Sequence, residues 1–225
     1  MMRPLLLLLF TLGSLASLQA QTPSPSRYLV TGLSANNYRG DLEDGIAQYK
    51  PALHLGLKLN RSRRLNGNFE LSLGQVEGQD PHFAPLTEAG IQPNRYFSST
   101  FFAANFMLHY NLLQRERYLL YLGQGIGLFR YNPLDEEDQS LQDRRPSRLG
   151  TEEYGNISLM LPTALGAVYF LPNHWGIGLQ AAYLHPLTDY LDNISELGSK
   201  KGNDNVLQFR LQLLLPIHGA LPREN

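Results

Sequence analysis

Between Pro51 and Asn60 leucine falls on every odd position, at Leu53, Leu55, Leu57 and Leu59, while the even positions hold Ala52, His54, Gly56, Lys58 and Asn60. A period of two marks a β-strand with one apolar and one polar face, because successive side chains of an extended backbone point to opposite sides. The pattern returns along the chain. Leu65–Gln75 sets Phe69, Leu71 and Leu73 against Asn68, Glu70, Ser72 and Gly74. Thr100–Leu112 sets Phe102, Ala104, Phe106, Leu108, Tyr110 and Leu112 against Ala103, Asn105, Met107, His109 and Asn111. Tyr118–Arg130, Asn156–Leu171, Trp175–Tyr183 and Asn205–Leu215 alternate in the same way, and Arg27–Ala35 is a weaker first member, which makes eight predicted strands. Asn156–Leu171 is apolar enough to compete as a helix, but Pro162 and Gly166 inside it favour a strand.

The connections sort by length. Short ones fall near residues 60–64, 113–117 and 171–174, and long ones at 36–50, 76–99, 131–155 and 186–204. Short turns at one end and long loops at the other are the mark of an outer-membrane barrel, and strands of this length cross a bilayer when tilted by about 45°. The predicted fold is therefore all-β: an eight-stranded antiparallel up-and-down transmembrane β-barrel with both termini at the short-turn end. Period two alone does not separate this from a soluble sandwich or barrel, whose leucines would face inward. In the transmembrane barrel the leucine stripes touch lipid and the polar stripes are enclosed. An eight-stranded barrel has no open pore, so side chains must fill it. Its inward face would hold His54, Lys58, Glu70, Asn105, His109, Gln180, Gln208, Arg210 and Gln212 among many glycines, with room beside the glycines for Tyr121 and Phe129. Lys58 and Arg210 are expected to pair with Glu70, since buried charges need partners.

Composition sharpens the address. Met1-Met2-Arg3, an apolar run from Pro4 to Leu18 and a small residue at Ala20 read as a secretory signal peptide over residues 1–20, with the barrel domain over 21–225. The chain has no cysteine, which excludes a disulfide scaffold, a lipoprotein anchor and thiolate metal sites. Arg3 leaves with the leader, so 18 basic residues face 20 acidic ones, and nothing in that balance supports nucleic-acid binding. Mean hydropathy is -0.26, too low for a bundle of membrane helices and compatible with a barrel that shows lipid only alternate residues.

Candidate chemistry is thin. His54 and His109 are both predicted inward, and Ser72 and Glu70 could join them as a Ser-His-acid set, but an enzyme acting on lipid would need that set facing outward near the membrane surface. An inward set is a hydrogen-bonded plug. No histidine pair shows zinc-ligand spacing. Asp135-Glu136-Glu137-Asp138 lacks EF-hand spacing and reads as a solvated acidic loop offset by Arg144, Arg145 and Arg148. Gly123, Gly125 and Gly127 keep strict period two, so they mark space in a barrel wall, not a nucleotide loop. Asn193-Ile194-Ser195 matches a glycosylation sequon by composition only. No catalytic, cofactor or metal residue is assigned and no cofactor is expected. The expected partners are outer-membrane lipid and lipopolysaccharide.

Four strings carry a resemblance: Asn37–Leu42 (Asn-Tyr-Arg-Gly-Asp-Leu), Tyr96–Asn111, Gly125–Pro133, and Thr188–Ser195 (Thr-Asp-Tyr-Leu-Asp-Asn-Ile-Ser). In this order they resemble the small outer-membrane barrel family that includes PorG, a component of the type IX secretion system. The resemblance implies an eight-stranded barrel without known enzymatic activity. For the system's own member it also implies association with a periplasmic ring built from a lipoprotein and a partner protein. Family barrels usually end near an aromatic residue of the last strand, whereas this chain continues past Leu215 to Asn225. On the physical reading, Asp41 and Asp189 fix the bases of long loops, and Tyr38 and Tyr190 sit in the interfacial aromatic girdle. The functional expectation is a non-enzymatic anchor or scaffold of type IX secretion, with a solute channel or a lipid-modifying enzyme as alternatives.

Overall fold

The structure, a computed structural model, describes residues 25–43, 48–83, 91–143, 147–149, 151–152, 155–198 and 202–217. The predicted leader, Arg144 and Arg145 lie outside the described residues. Eight strands, β1 (Arg27–Arg39), β2 (Tyr49–Leu59), β3 (Leu65–Gln79), β4 (Tyr96–Gln114), β5 (Tyr118–Leu134), β6 (Ile157–Phe170), β7 (Gly176–Pro186) and β8 (Asn205–Pro216), pair antiparallel in sequence order. β8 pairs with β1, from Tyr28 opposite Pro216 to Arg39 opposite Asn205, so the barrel closes and leaves no sheet edge. The apolar stretch Asn156–Leu171 contains strand β6, with Pro162 accommodated on its inner face.

Closure follows from the alternation. Leu33, Leu53, Leu73 and Leu179 are 60–65% exposed on the outer wall, while His54, Lys58, Glu70 and Arg210 are 3–7% exposed inside. In water so much exposed leucine would be anomalous; it makes sense only against acyl chains. Tyr110, Tyr118, Tyr169 and Trp175 are exposed at the short-turn end and form an aromatic girdle, with Tyr118 and Tyr169 5.2 Å apart between ring centroids. At the same end β4 carries a bulge between Asn111 and Leu113, which lets consecutive Leu112 and Leu113 both face outward.

Most strands run several residues further toward the long loops than the apolar alternation does: β1 reaches Arg39, β3 reaches Gln79, β4 starts at Tyr96 and β5 ends at Leu134. Most outward residues of these extensions, such as Glu77, Ser98 and Asn132, are polar. Alternation reports contact with lipid, so it fades where the strands rise into water although the backbone ladder continues.

Candidate functional site: the enclosed polar network and the barrel mouth

Across the lumen, the inward side chains of non-adjacent strands meet. Arg210 on β8 forms an ion pair with Glu70 on β3, Nη1 to Oε2 2.5 Å. The second oxygen of Glu70 lies 3.4 Å from His54 Nδ1. Ser34 donates to Asn36 Oδ1 at 3.0 Å, so the proton shared between Ser34 Oγ and His54 Nε2, 2.8 Å apart, belongs to the imidazole. His54 Nδ1 then accepts from Ser72 Oγ at 3.0 Å. Asn36 Oδ1 also receives Gln208 Nε2 at 2.9 Å, which ties β8 into the same layer.

A second layer sits nearer the short turns. The expected pairing of Lys58 with Glu70 is not formed: Lys58 Nζ is 2.8 Å from His109 Nδ1 and lies 4.6 Å over the Tyr121 ring. The reason is position along the wall. Lys58 is four residues below His54 on β2, and at that height the facing inward groups are His109 and Tyr121, stacked 4.3 Å apart at 14°. Tyr121 donates to Gln180 Oε1 at 2.6 Å and accepts from Gln212 Nε2 at 3.0 Å. Its ring fills the space left by Gly166 on β6, where a Cβ would fall 2.2 Å from Tyr121 Cζ. Gly123 leaves similar room for His109.

These contacts decide the catalytic candidates. A Ser-His-acid relay needs serine and acid on opposite nitrogens of the histidine. Ser72 and Glu70 both approach Nδ1 of His54, so they do not form one. Ser34, which sequence reading passed over, is on the opposite nitrogen from Glu70, but its proton is committed to Asn36 and Glu70 is bound to Arg210. Ser34, His54, Glu70 and Ser72 are all buried inside the barrel, away from the lipid-facing wall. Among the described residues no group of three or more His, Cys, Asp or Glu side chains could hold a metal ion.

The mouth departs from expectation. Tyr38 is not in a girdle: it is 2% exposed and turns inward, in phase with Ser34 and Asn36 on the inner face of β1. Its hydroxyl lies 2.6 Å from Asp192 Oδ2 and 2.8 Å from Asp204 Oδ1. A phenol has one proton, so the second contact requires a proton on one of the carboxyls. Asp192 Oδ1 accepts from the Ile194 amide at 2.8 Å, and Asp204 Oδ2 from the Leu191 amide at 2.9 Å. Burial pushes Asp192 up to about 8, against the pull of its bonds from Tyr38 and Ile194. Burial, then the charge of Asp192, raises Asp204 well above the carboxylate range. Gly40 is required here, since a Cβ would fall 2.0 Å from both the Tyr38 hydroxyl and Asp204 Oδ1.

Above this clasp the long loops pack on one another. Leu42, Phe83, Leu141, Leu191 and Ile194 are buried with Phe97 and Tyr131 in one apolar cluster. Asn193, at φ 73°, places its amide 2.9 Å from Ser147 Oγ and 3.2 Å from Asn94 Oδ1, joining three long loops. That amide is buried, so the sequon is not a surface acceptor. Tyr190 is likewise no girdle residue; it is partly buried against this cluster. Asp135 is buried, not solvated, and accepts the Glu137 and Gln139 amides at 3.0 and 2.8 Å. Asp41 and Asp189 do sit at loop bases. Asp41 lies against Gly198 of the fourth long loop, and Asp189 is hydrogen-bonded by Ser195. Burial, with the charge of Asp41 behind it, raises Asp189 to about 6.

No protein-family model and no curated protein matches this chain. Solved structures do. Neisserial surface protein A is 10% identical with a TM-score of 0.53, over 87% of this chain and 100% of that one. The attachment invasion locus protein Ail of Yersinia pestis is 12% identical with a TM-score of 0.48, over 85% and 98% of the two chains. The outer-membrane enzyme PagL is 15% identical with a TM-score of 0.41, over 84% and 99%. At such identities the likeness is one of fold. The chain is a small outer-membrane β-barrel: the apolar outer wall, the enclosed charges and the closed eight-strand topology agree.

Proposed function

We propose that this barrel is a non-enzymatic anchor or scaffold of the outer membrane that serves type IX protein secretion, as its resemblance to the PorG-containing family implies. The observation that carries the reading is the clasp. Two of the strings behind the resemblance, Asn37–Leu42 and Thr188–Ser195, lie 154 positions apart at Tyr38 and Asp192, and these two side chains are hydrogen-bonded at 2.6 Å. The residues of these two strings thus build one structure, a fixed mouth. The lumen beneath it is crossed by the Glu70–Arg210 pair and the Lys58–His109–Tyr121 stack. A barrel fastened in this way offers its turns, loops and lipid-facing wall to a partner.

The test is genetic and biochemical together. Deleting the gene should leave signal-tagged cargo inside the cell, and an affinity-tagged chain extracted in detergent should bring down the periplasmic ring lipoprotein. Normal cargo export in the deletion strain removes the secretion role, whatever the barrel binds.

A further inference from the structure

Among the described residues the apolar lipid-facing wall is interrupted by the lone Thr31 hydroxyl on β1 and by a paired polar spot on β5 and β6, and neither the alternation nor the secretion role accounts for the pair. On β5 the outward residues run Tyr118, Leu120, Leu122, Gln124, Ile126, Leu128 and Arg130. Tyr118 and Arg130 bracket the apolar stretch, and Gln124 stands six residues from each. At about 3.4 Å per residue and a tilt of about 45°, six residues rise about 14 Å, which puts Gln124 near the middle of a belt about 25 Å tall. Its neighbour across the ladder is Thr163 on β6. Thr163 Oγ1 donates to Gln124 Oε1 at 2.7 Å. Among the described residues this is the one hydrogen bond of the Gln124 side chain, so both amide N–H groups face the hydrocarbon.

The backbone is weakened at the same place. The β5–β6 ladder is continuous from Tyr118 to Gln124 and resumes at Gly127, but Gly125 and Ile126 have no ladder partners opposite Pro162 and Leu161. Pro162 has no N–H to give. From here an open groove of about 480 Å³ runs up the outer wall past Leu161 to His185 and Asn205, whose side chains are 2.9 Å apart.

An amide N–H in hydrocarbon costs several kcal/mol if it finds no acceptor. Acyl chains offer none at this depth. What does is another spanning protein with a polar group at the same height. A closed, symmetric dimer of two like-oriented copies in one membrane has its two-fold axis along the membrane normal. Every residue near that axis then meets its own copy at equal depth. A carboxamide is self-complementary: its N–H donates and its oxygen, with a lone pair left after Thr163, accepts. We propose that the β5–β6 face, centred on Gln124 and Thr163, is a homodimer interface in which the two Gln124 amides hydrogen-bond each other inside the bilayer. The groove toward His185 and Asn205 gives the partner's outer side chains a place to seat.

The chain has no cysteine, so single engineered thiols report contacts cleanly. The full chain, reconstituted in phosphatidylcholine vesicles, is labelled for single-molecule counting and oxidised with a soluble catalyst after Leu122→Cys or Leu55→Cys. The expected result is a dimer that cross-links through position 122 beside Gln124 and not through position 55 on β2. Gln124→Leu, which suits the lipid face and should not impair folding, is expected to weaken association at least tenfold, and Thr163→Val by less. A wild-type chain that stays monomeric at the same density overturns the proposal. So does equal cross-linking from both faces, a Gln124→Leu variant that dimerises like wild type, or a different membrane protein or a co-purified lipid covering Gln124.

Discussion

Arg210→Met isolates the buried ion pair that crosses the lumen. Arg210 and Glu70 are joined at 2.5 Å, with side chains 1% and 7% exposed, and they link two strands that are not neighbours in the sheet. Methionine keeps the length and packing of the arginine stem and removes the charge. Glu70 is then left in an enclosed space with His54 Nδ1 at 3.4 Å as its nearest cationic candidate. Breaking a buried pair from one side costs about 3–5 kcal/mol, because the surviving charge is desolvated without compensation. Replacing both partners by neutral groups of similar volume is often neutral or stabilising. The double variant Glu70→Gln/Arg210→Met should therefore recover most of the loss. Reversible urea unfolding in detergent measures both, followed by the fluorescence of Trp175, the single tryptophan, which faces lipid at the short-turn end. A loss below about 1 kcal/mol for Arg210→Met would mean that water reaches the pair. A double variant as unstable as Arg210→Met alone would mean that arginine packing, not charge, is what matters. Either result refutes the picture of a desolvated pair held by its charges.

Ile126→Arg, at a 55% exposed position on the outer wall, is expected to destabilise the reconstituted barrel by about 2–4 kcal/mol; a change within about 0.5 kcal/mol would place that wall in water. Gly166→Val should abolish refolding, since its Cβ alone would fall 2.2 Å from Tyr121 Cζ, and adding Tyr121→Ala should restore a folded band on unheated gels. The mouth clasp should loosen in alkali. Asp192 is raised to about 8 in the folded chain, against about 4 unfolded, so the folded mouth binds more protons; its stabilisation is full below about pH 4 and is lost as pH rises through about 8. Hydrogen-exchange protection factors of the Leu191 and Ile194 amides, which donate to Asp204 and Asp192, should fall at least tenfold between pH 5 and pH 9. A flat profile, or an unchanged fall in Asp192→Asn, contradicts the shared proton.

The sequence by itself determined the wall. Alternation at Leu53–Leu59 and its repeats gave the number of strands, their order and the face that each side chain takes, because the period of an extended chain is two wherever it lies. Loop lengths gave the polarity of the barrel. Tyr38 shows how far that logic carries: it is in phase with Ser34 and Asn36, and strict counting would have turned it inward. What the tertiary structure alone decided is which inward groups share a height. Closing β8 on β1 sets the stagger of the strands, and that stagger sends Arg210 to Glu70 and Lys58 to His109, although either cation could have reached the acid on sequence grounds. It also decided the loops, where no alternation points side chains inward or outward. Leu191 and Ile194 bury against Phe83, Phe97 and Leu141, and Asp192 and Asp204 meet at Tyr38. No period encodes those contacts, since they join segments far apart in the chain whose only common feature is the rim on which they stand.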